Sequence, residues 1–341
     1  MVEPGTLLIC TASGSKKHLG KTALIDQPMD FAFGGFMGLL TPSKGLLPKF
    51  LHWLMRSDSY WGFIDRLSDG ANINNLKFSQ LSEFPVPLPP LKEQQRIVAV
   101  LDEAFEGLAR ARAHVEANLQ NARELFDELV NACFEKANAQ GGGATTLGAL
   151  AEFRNGLNYT RTSSGRSVKI VGVGDFKDHF TVPVDTLSEI TIDGALADND
   201  QLRAGDIVAV RSNGNRELIG RTMIVPTLAG QVSFSGFTIR VRLISDNLLP
   251  EYLCEYMRTK KARRTLIDGG GGSSISNLNQ GLLSILPIRF PDLDAQRDTL
   301  CELDLTRIQS IELVQHYETK LQYLDDLRQS LLQKAFAGEL T

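Results

Sequence analysis

Pro85-Val86-Pro87-Leu88-Pro89-Pro90-Leu91-Lys92-Glu93-Gln94-Gln95-Arg96 is the stretch on which the reading of this chain turns. Its four prolines fix φ and remove amide donors, so residues 85 to 90 are predicted to be extended, with a helix starting only as they finish. No further proline occurs before Pro183. Within that run Val98, Leu101, Phe105, Leu108, Val115, Leu119, Ala122, Phe126, Leu129 and Cys133 follow steps of three and four, interrupted only by Arg112, which is the seam of a coiled coil. Continued to about Lys136 at ~1.5 Å per residue, the helix is a rod roughly 65 Å long. That is longer than a domain core needs, and the rod is predicted to separate things.

Adding 202 to each number finds a second copy of the stretch. Pro85 maps to Pro287, Pro89 to Pro291, Leu91 to Leu293, Gln94 to Gln296, Leu101 to Leu303, Leu119 to Leu321, Leu125 to Leu327 and Phe134 to Phe336, without a gap. Leu300, Leu303, Val314, Tyr317, Leu321, Leu324 and Leu331 take its seam, which Arg307, Ser310 and Arg328 weaken. The two rods are predicted to pack antiparallel, because each leaves one domain and leads to the next. The expected organisation is a first β-rich domain over 1–90, a central helix over 91–140, a second β-rich domain over 141–290 and a C-terminal helix over 291–341. The fold class is α+β, with two β-rich globular domains separated by an antiparallel coiled coil.

The domains repeat as well. Gly5-Thr6-Leu7-Leu8-Ile9-Cys10-Thr11-Ala12-Ser13-Gly14-Ser15-Lys16-Lys17-His18-Leu19-Gly20-Lys21 answers Gly205-Asp206-Ile207-Val208-Ala209-Val210-Arg211-Ser212-Asn213-Gly214-Asn215-Arg216-Glu217-Leu218-Ile219-Gly220-Arg221 at an offset of 200. Each reads as strand, polar loop, strand. Pro48 and Pro250 then each open a short helix. The Gly-rich stretches from Gly70 and from Gly269 read as flexible loops, and Gln140 to Thr145 reads as the linker that releases the second domain. The second domain has about 60 residues ahead of its hairpin and the first has four, so the first repeat reads as incomplete, its missing strands lost or supplied by a partner.

With 43% hydrophobic and 22% charged residues, the 341-residue chain can bury two cores. It has no 18-residue apolar run and no basic leader, so no membrane partner is expected and the cytoplasm is the expected location. Cys10, Cys133, Cys254 and Cys301 form no CxxC pair, and the histidines show no metal-ligand spacing, so neither zinc nor a disulfide framework is expected. The net charge of −4 is uneven: Lys and Arg number 8 against 7 acidic residues over 1–90, 6 against 9 over 91–140, 17 against 14 over 141–290 and 5 against 10 over 291–341. Any basic surface therefore belongs to the globular parts. The chain has no GxSxG, HExxH or Asn/Asp-Pro-Pro-Tyr/Phe motif, and Val171-Gly172-Val173-Gly174-Asp175 lacks the third glycine of a dinucleotide site. No catalytic residue, metal ligand or resident cofactor is expected.

The Leu-Pro-Pro-Leu-x-Glu-Gln helix start, the alternation of two domains with two long helices, and the tail Phe336-Ala337-Gly338-Glu339-Leu340 together resemble the specificity subunit of type I restriction-modification systems. The resemblance implies two target-recognition domains that each read half of a gapped site in double-stranded DNA. It implies helices that act as ruler and docking surface for two methyltransferase subunits, which carry S-adenosylmethionine and methylate a flipped adenine at N6. A restriction/translocase subunit completes the complex. The alternative is a non-catalytic coiled-coil interaction protein with β-rich protein-binding domains.

Candidate DNA-binding residues follow from side-chain chemistry. Arg211, Asn213, Asn215 and Arg216 in the second hairpin loop can read base edges, Arg on guanine and Asn on adenine. Asn158 and Arg161 form a second polar loop. Lys260, Lys261 and Arg264 suit phosphates, which position without specifying. Ser13, Ser15, Lys16 and Lys17 are the corresponding residues of the first loop.

Overall fold

The computed structural model describes residues 2–28, 30, 32–68, 75–139, 141–159, 163, 165–176, 179–268 and 277–340. The chain divides into two compact units, one of Met1–Gln120 with Val314–Thr341, the other of Asn121–Leu313.

In the first unit, strands β1 (Leu7–Cys10), β2 (Thr22–Leu24) and β3 (Met37–Leu40) form an antiparallel sheet in the order β2-β1-β3. The predicted hairpin is β1 and β2. Alternation along β1 turns Leu7 and Ile9 into the core, where both are fully buried. Helix α1 (Pro48–Leu54) starts at its proline, followed by α2 (Asp58–Ser68) and α3 (Phe78–Leu81). Leu51, Leu54, Met55, Tyr60 and Ile64 from α1, α2 and their junction pack beneath the sheet. The Tyr60 hydroxyl donates to the Gly20 carbonyl at 2.7 Å, tying α2 to the end of the hairpin loop.

Helix α4 (Leu91–Ala139) begins at the residue where the prolines stop, as predicted. Its second-unit part leads to β4 (Gly143–Thr146), β5 (Ala151–Asn155), β6 (Arg166–Val171), β7 (Glu189–Ile192), β8 (Ile207–Val210), β9 (Thr222–Ile224), β10 (Val232–Phe234) and β11 (Thr238–Leu243). There follow α5 (Pro250–Arg258), α6 (Lys260–Asp268), α7 (Gln280–Ser284), β12 (Pro287–Phe290) and α8 (Leu293–Ala337). The sheets run β5-β11-β8-β9, β10-β6-β7 with β10 parallel to β6, and β12-β4. The second predicted hairpin is β8 and β9.

One expectation is corrected here. Of the glycine-rich linker at 140–145, Gln140 lies outside the described residues, and residues from Gly143 on form β4, which pairs with β12 and so joins the two ends of the second domain's chain. The glycines serve close approach rather than flexibility: a Cβ on Gly142, at φ +132°, would lie 2.0 Å from the Phe290 carbonyl oxygen.

The long helices are antiparallel in the first unit. Arg96 meets Leu340, Leu101 packs with Leu332, and Arg112 donates to Asp325 at 2.6 Å, so numbers rise along α4 as they fall along α8. Arg112, the polar break in the apolar seam, is thus a cross-helix ion pair. Toward the helix ends Cys133 is buried and Leu331 packs against the core as read, but the buried face also takes in the neighbouring position. Leu129 is 44% exposed, while Val130 packs against the core and Leu332 is fully buried. A helix near 3.6 residues per turn drifts about 20° per heptad from a 3.5 repeat, which moves the buried face by one position over several heptads.

Each unit joins its short helix to the long helices in the same way. Gln94 and Gln296 are both fully buried. Gln94 donates from Nε2 to the carbonyls of Gly45 and Pro89, and its Oε1 accepts the Leu47 amide, all at 2.8 Å. Gln296 donates to Asn247 and Pro291 and accepts from Leu249, at 2.8 to 2.9 Å. Beside each lies an edge-on aromatic pair, Phe50 with Phe336 at 5.3 Å and Tyr252 with Phe134 at 5.1 Å between ring centroids. The next contact differs: Trp53 packs on Phe105 at 4.5 Å, and at the same repeat positions Glu255 accepts from Arg307 at 2.5 Å.

His52, on the buried face of α1, is held to about 4 by burial first and by Arg56 and Lys49 next, against the partial opposition of Asp102. The folded chain refuses a proton that the unfolded chain takes from pH 6.5 downward. Stability is therefore full above pH 6.5, falls between 6.5 and 4, and levels off below, with a loss of up to about 3 kcal/mol. Urea titrations at pH 7.5 and 4.5 are expected to show this loss in the native chain and a smaller one in His52→Gln.

Candidate nucleic-acid interface

The hairpin loops are built alike. In the second unit the Arg211 and Ser212 amides both donate to the Phe237 carbonyl, Ser212 bridges Asn277, and the Leu278 amide donates to Arg211. In the first, the Thr11 and Ala12 amides donate to Phe36, Ala12 bridges Asn75, and the Leu76 amide donates to Thr11. The ends of the two Gly-rich loops are therefore bonded to the hairpin loops; the parts at 69–74 and 269–276 lie outside the described residues.

Within the loops, short polar side chains shape the backbone. Asn213 Oδ1 accepts the Asn215 amide at 2.7 Å, and Asn215 Oδ1 accepts the Glu217 amide at 3.0 Å. Ser13 Oγ does the same for the Ser15 amide at 3.1 Å. The two asparagines have committed acceptor capacity to the loop, whereas adenine recognition needs that acceptor and the amide donor together. Arg211 is half-buried, its guanidinium donating to the Gly236 carbonyl at 3.3 Å, with Nε buried and without a partner. Asn158 lies against Gly236, where a Cβ would come within 2.2 Å of its Oδ1. Arg161 lies outside the described residues.

Arg216 is exposed, and it lines an open groove of about 500 Å3 with Glu217, Arg221, Lys260, Arg263 and Arg264. The fold thus brings the loop cation Arg216 together with Lys260 and Arg264 of α6. Lys260 also pairs with Asp127 at 2.5 Å, and Lys261 pairs with Glu135 at 3.4 Å; both pairs are exposed and therefore weak. Arg263 donates to the Glu217 and Ile219 carbonyls and braces the loop as Tyr60 does in the first unit. Burial lowers its pKa, with Arg221 and Arg258 adding to the effect. In the first unit Lys16 and Lys17 are exposed on the loop, but α2 places Asp58 and Gly62 where α6 has Lys260 and Arg264.

The basic cluster read from the sequence at Lys260, Lys261 and Arg264 also included Arg263; the reading passed over Arg221, which only the fold brings to the groove. It also passed over Phe36 and Phe237, 72% and 62% exposed, each beside its loop. Their matched spacing was the available signal: Gly35-Phe36 and Gly236-Phe237 repeat at an offset of 201.

Comparison with known proteins places these features. The profile of the type I restriction modification DNA specificity domain matches residues 5–115. The StySPI type I specificity subunit of Salmonella potsdam is 28% identical over 351 residues, covering all of this chain and 76% of that protein. The EcoKI specificity subunit of Escherichia coli K12 is 26% identical over 358 residues, with the same coverage. Over its whole length the chain is similar to type I specificity subunits. Its fold is shared with a chain from a structural study of type I restriction-modification complex assembly, at a TM-score of 0.75 and 20% identity over 99% of this chain and 83% of that one. It is shared also with the HsdS subunit of Thermoanaerobacter tengcongensis, at 0.57 and 18% over 99% and 82%. The relatives are specificity subunits, the DNA-recognition component of such systems. Among the described residues of the chain no group of side chains could hold a metal ion, and no helix is long and apolar enough to cross a membrane.

Proposed function

We propose that this chain is a specificity subunit that reads a gapped DNA site through its two hairpin-bearing units and docks two methyltransferase subunits on its long helices. The observation that carries the reading is the duplicated loop, fixed by the same backbone bonds in both units but bearing different side chains. A common frame with exchangeable chemistry suits a protein that reads two unlike half-sites. In the second unit Arg216 is the side chain best free to reach a guanine edge, and Lys260, Lys261 and Arg264 take phosphates. Asn213, Asn215, Ser13 and Ser15 hold loop shape and offer their remaining donors, while Arg211 reaches a base by leaving the Gly236 carbonyl. Lys16 and Lys17 supply the first unit's cations, and Asn158 with Arg161 a flanking contact. S-adenosylmethionine, adenine flipping and N6 transfer belong to the methyltransferase partners, and cleavage to a restriction/translocase subunit.

Docking has support in the repeat. Leu125 and Leu327, 202 residues apart, are 52% and 48% exposed on α4 and α8, one in each unit. Two equivalent apolar anchors fit two copies of one partner.

The test is reconstitution with the methyltransferase subunits, followed by mapping of methylated sites and titration of duplex DNA at several salt concentrations. Arg216→Ala is expected to cost roughly 1 to 3 kcal/mol on the cognate duplex and to relax one position of one half-site, whereas Arg264→Ala weakens all duplexes alike and lowers the salt slope by about one unit. Equal losses for Arg216→Ala on cognate and random DNA would assign it to phosphates. Binding without salt dependence would favour a protein-interaction role instead. In native mass spectrometry, Leu125→Asp and Leu327→Asp are each expected to remove one methyltransferase copy, and the double variant both. An unchanged stoichiometry would remove these leucines from the docking surface.

A further inference from the structure

The two units differ at one face in a way that DNA reading does not explain. In the first unit Leu46, Leu51, Met55, Leu81, Phe84 and Val86 line an open apolar groove of about 580 Å3. Adding 202 gives Leu248, Leu253, Met257, Leu283, Leu286 and Ile288, all buried in the core of the second unit. There the equivalent groove is filled by Leu147, Leu150 and Ala151 of the segment running from β4 to β5.

The backbone edges differ in step with the side chains. Strand β11 pairs with β5 on one side and β8 on the other. Its counterpart β3, aligned through Leu7↔Leu40 and Ile207↔Val241, pairs among the described residues with β1 alone. In the second unit β12 pairs with β4, and the Leu147 amide donates to the Leu286 carbonyl at 2.8 Å. The counterpart run from Pro85 joins no ladder among the described residues. Two open edges flanking an apolar trough match the needs of a strand–turn–strand segment, which brings backbone partners and apolar side chains together. Charge agrees: no lining residue of the groove is charged, and none of Gly143 to Ala151 is.

We propose that the groove of the first unit is a docking site for a strand–Leu-x-x-Leu-Ala–strand segment of a partner polypeptide, of the same pattern as residues 143–155 and uncharged over the part equivalent to 143–151. The segment adds one strand to the free edge of β3 and a second to residues 85–88, and places its two leucines in the trough. This proposal does not rest on the DNA reading.

A fluorescein-labelled peptide of residues 141–157, titrated into the full chain and followed by anisotropy, tests it. Saturable binding is expected, weakened more than about tenfold when Leu147 and Leu150 of the peptide are both changed to Asp. The protein variants Val86→Asp and Ser82→Trp, one charging the trough and the other filling it from an exposed position, are expected to weaken binding similarly. Ser82→Trp serves if Val86→Asp fails to fold. Hydrogen exchange of the wild-type complex should slow at the β3 amides. Absence of binding, equal binding of the Asp peptide, or exchange protection confined to the second unit would overturn the proposal. A concentration-dependent dimer of the chain that excess peptide does not dissociate would also overturn it, because the groove's occupant would then be a second copy.

Discussion

One buried glutamine in each unit holds the architecture together. Gln94 and Gln296 stand four residues after a proline pair or its counterpart, at the first turn of each long helix. Helix starts expose amides without partners, and proline leaves carbonyls that no ladder claims. The glutamine side chain offers two donors and an acceptor, and here all are used at once, on the preceding segment and on the loop ahead of α1 or α5. A buried polar group that is fully bonded costs little and fixes geometry tightly, because any shift leaves backbone groups stranded without water. Each globular part is thereby set at a fixed register on its helix start, and the aromatic pairs Phe50–Phe336 and Tyr252–Phe134 bring the end of the other long helix to the same joint.

Around that joint the two units vary freely in chemistry. Trp53 against Phe105 becomes Glu255 against Arg307, and bracing of the hairpin loop passes from the Tyr60 hydroxyl to the Arg263 guanidinium. The first exchange falls on matching positions of the internal repeat, and the second is shifted by one residue, since Tyr60 answers Ala262. The frame depends on where contacts are made, not on their nature. The basic groove follows the same logic: α6 carries cations at positions where α2 carries Asp58 and Gly62, so the electrostatic surface belongs to one unit while the loop backbone belongs to both.

Much of this was legible in the chain because its strongest signals are local or repeated. Prolines fixed the helix starts at Leu91 and Leu293, three-four spacing revealed the seam, and the constant offset paired the hairpins. What escaped depends on contacts distant in sequence. The glycines at 141–143 look like a linker until Phe290 is seen passing over Gly142, and Val130 displaces Leu129 from the seam only through accumulated helical drift. Arg221 and Arg263 meet Arg216 only after α6 folds against the loop. The bonded state of Asn213 and Asn215, which limits what they can read, is a matter of loop conformation that residue type alone does not encode.

The account stands most directly on the glutamine joints, and amide hydrogen exchange with urea unfolding of Gln94→Leu and Gln296→Leu tests them. Each substitution keeps approximate volume but strands one amide and two carbonyls, so a loss of roughly 3 kcal/mol or more is expected. The Leu47 amide in one variant and the Leu249 amide in the other should lose protection while the middle of α4 and α8 retains it. Native stability with both amides still protected would contradict the claim that these side chains set the register of the two units.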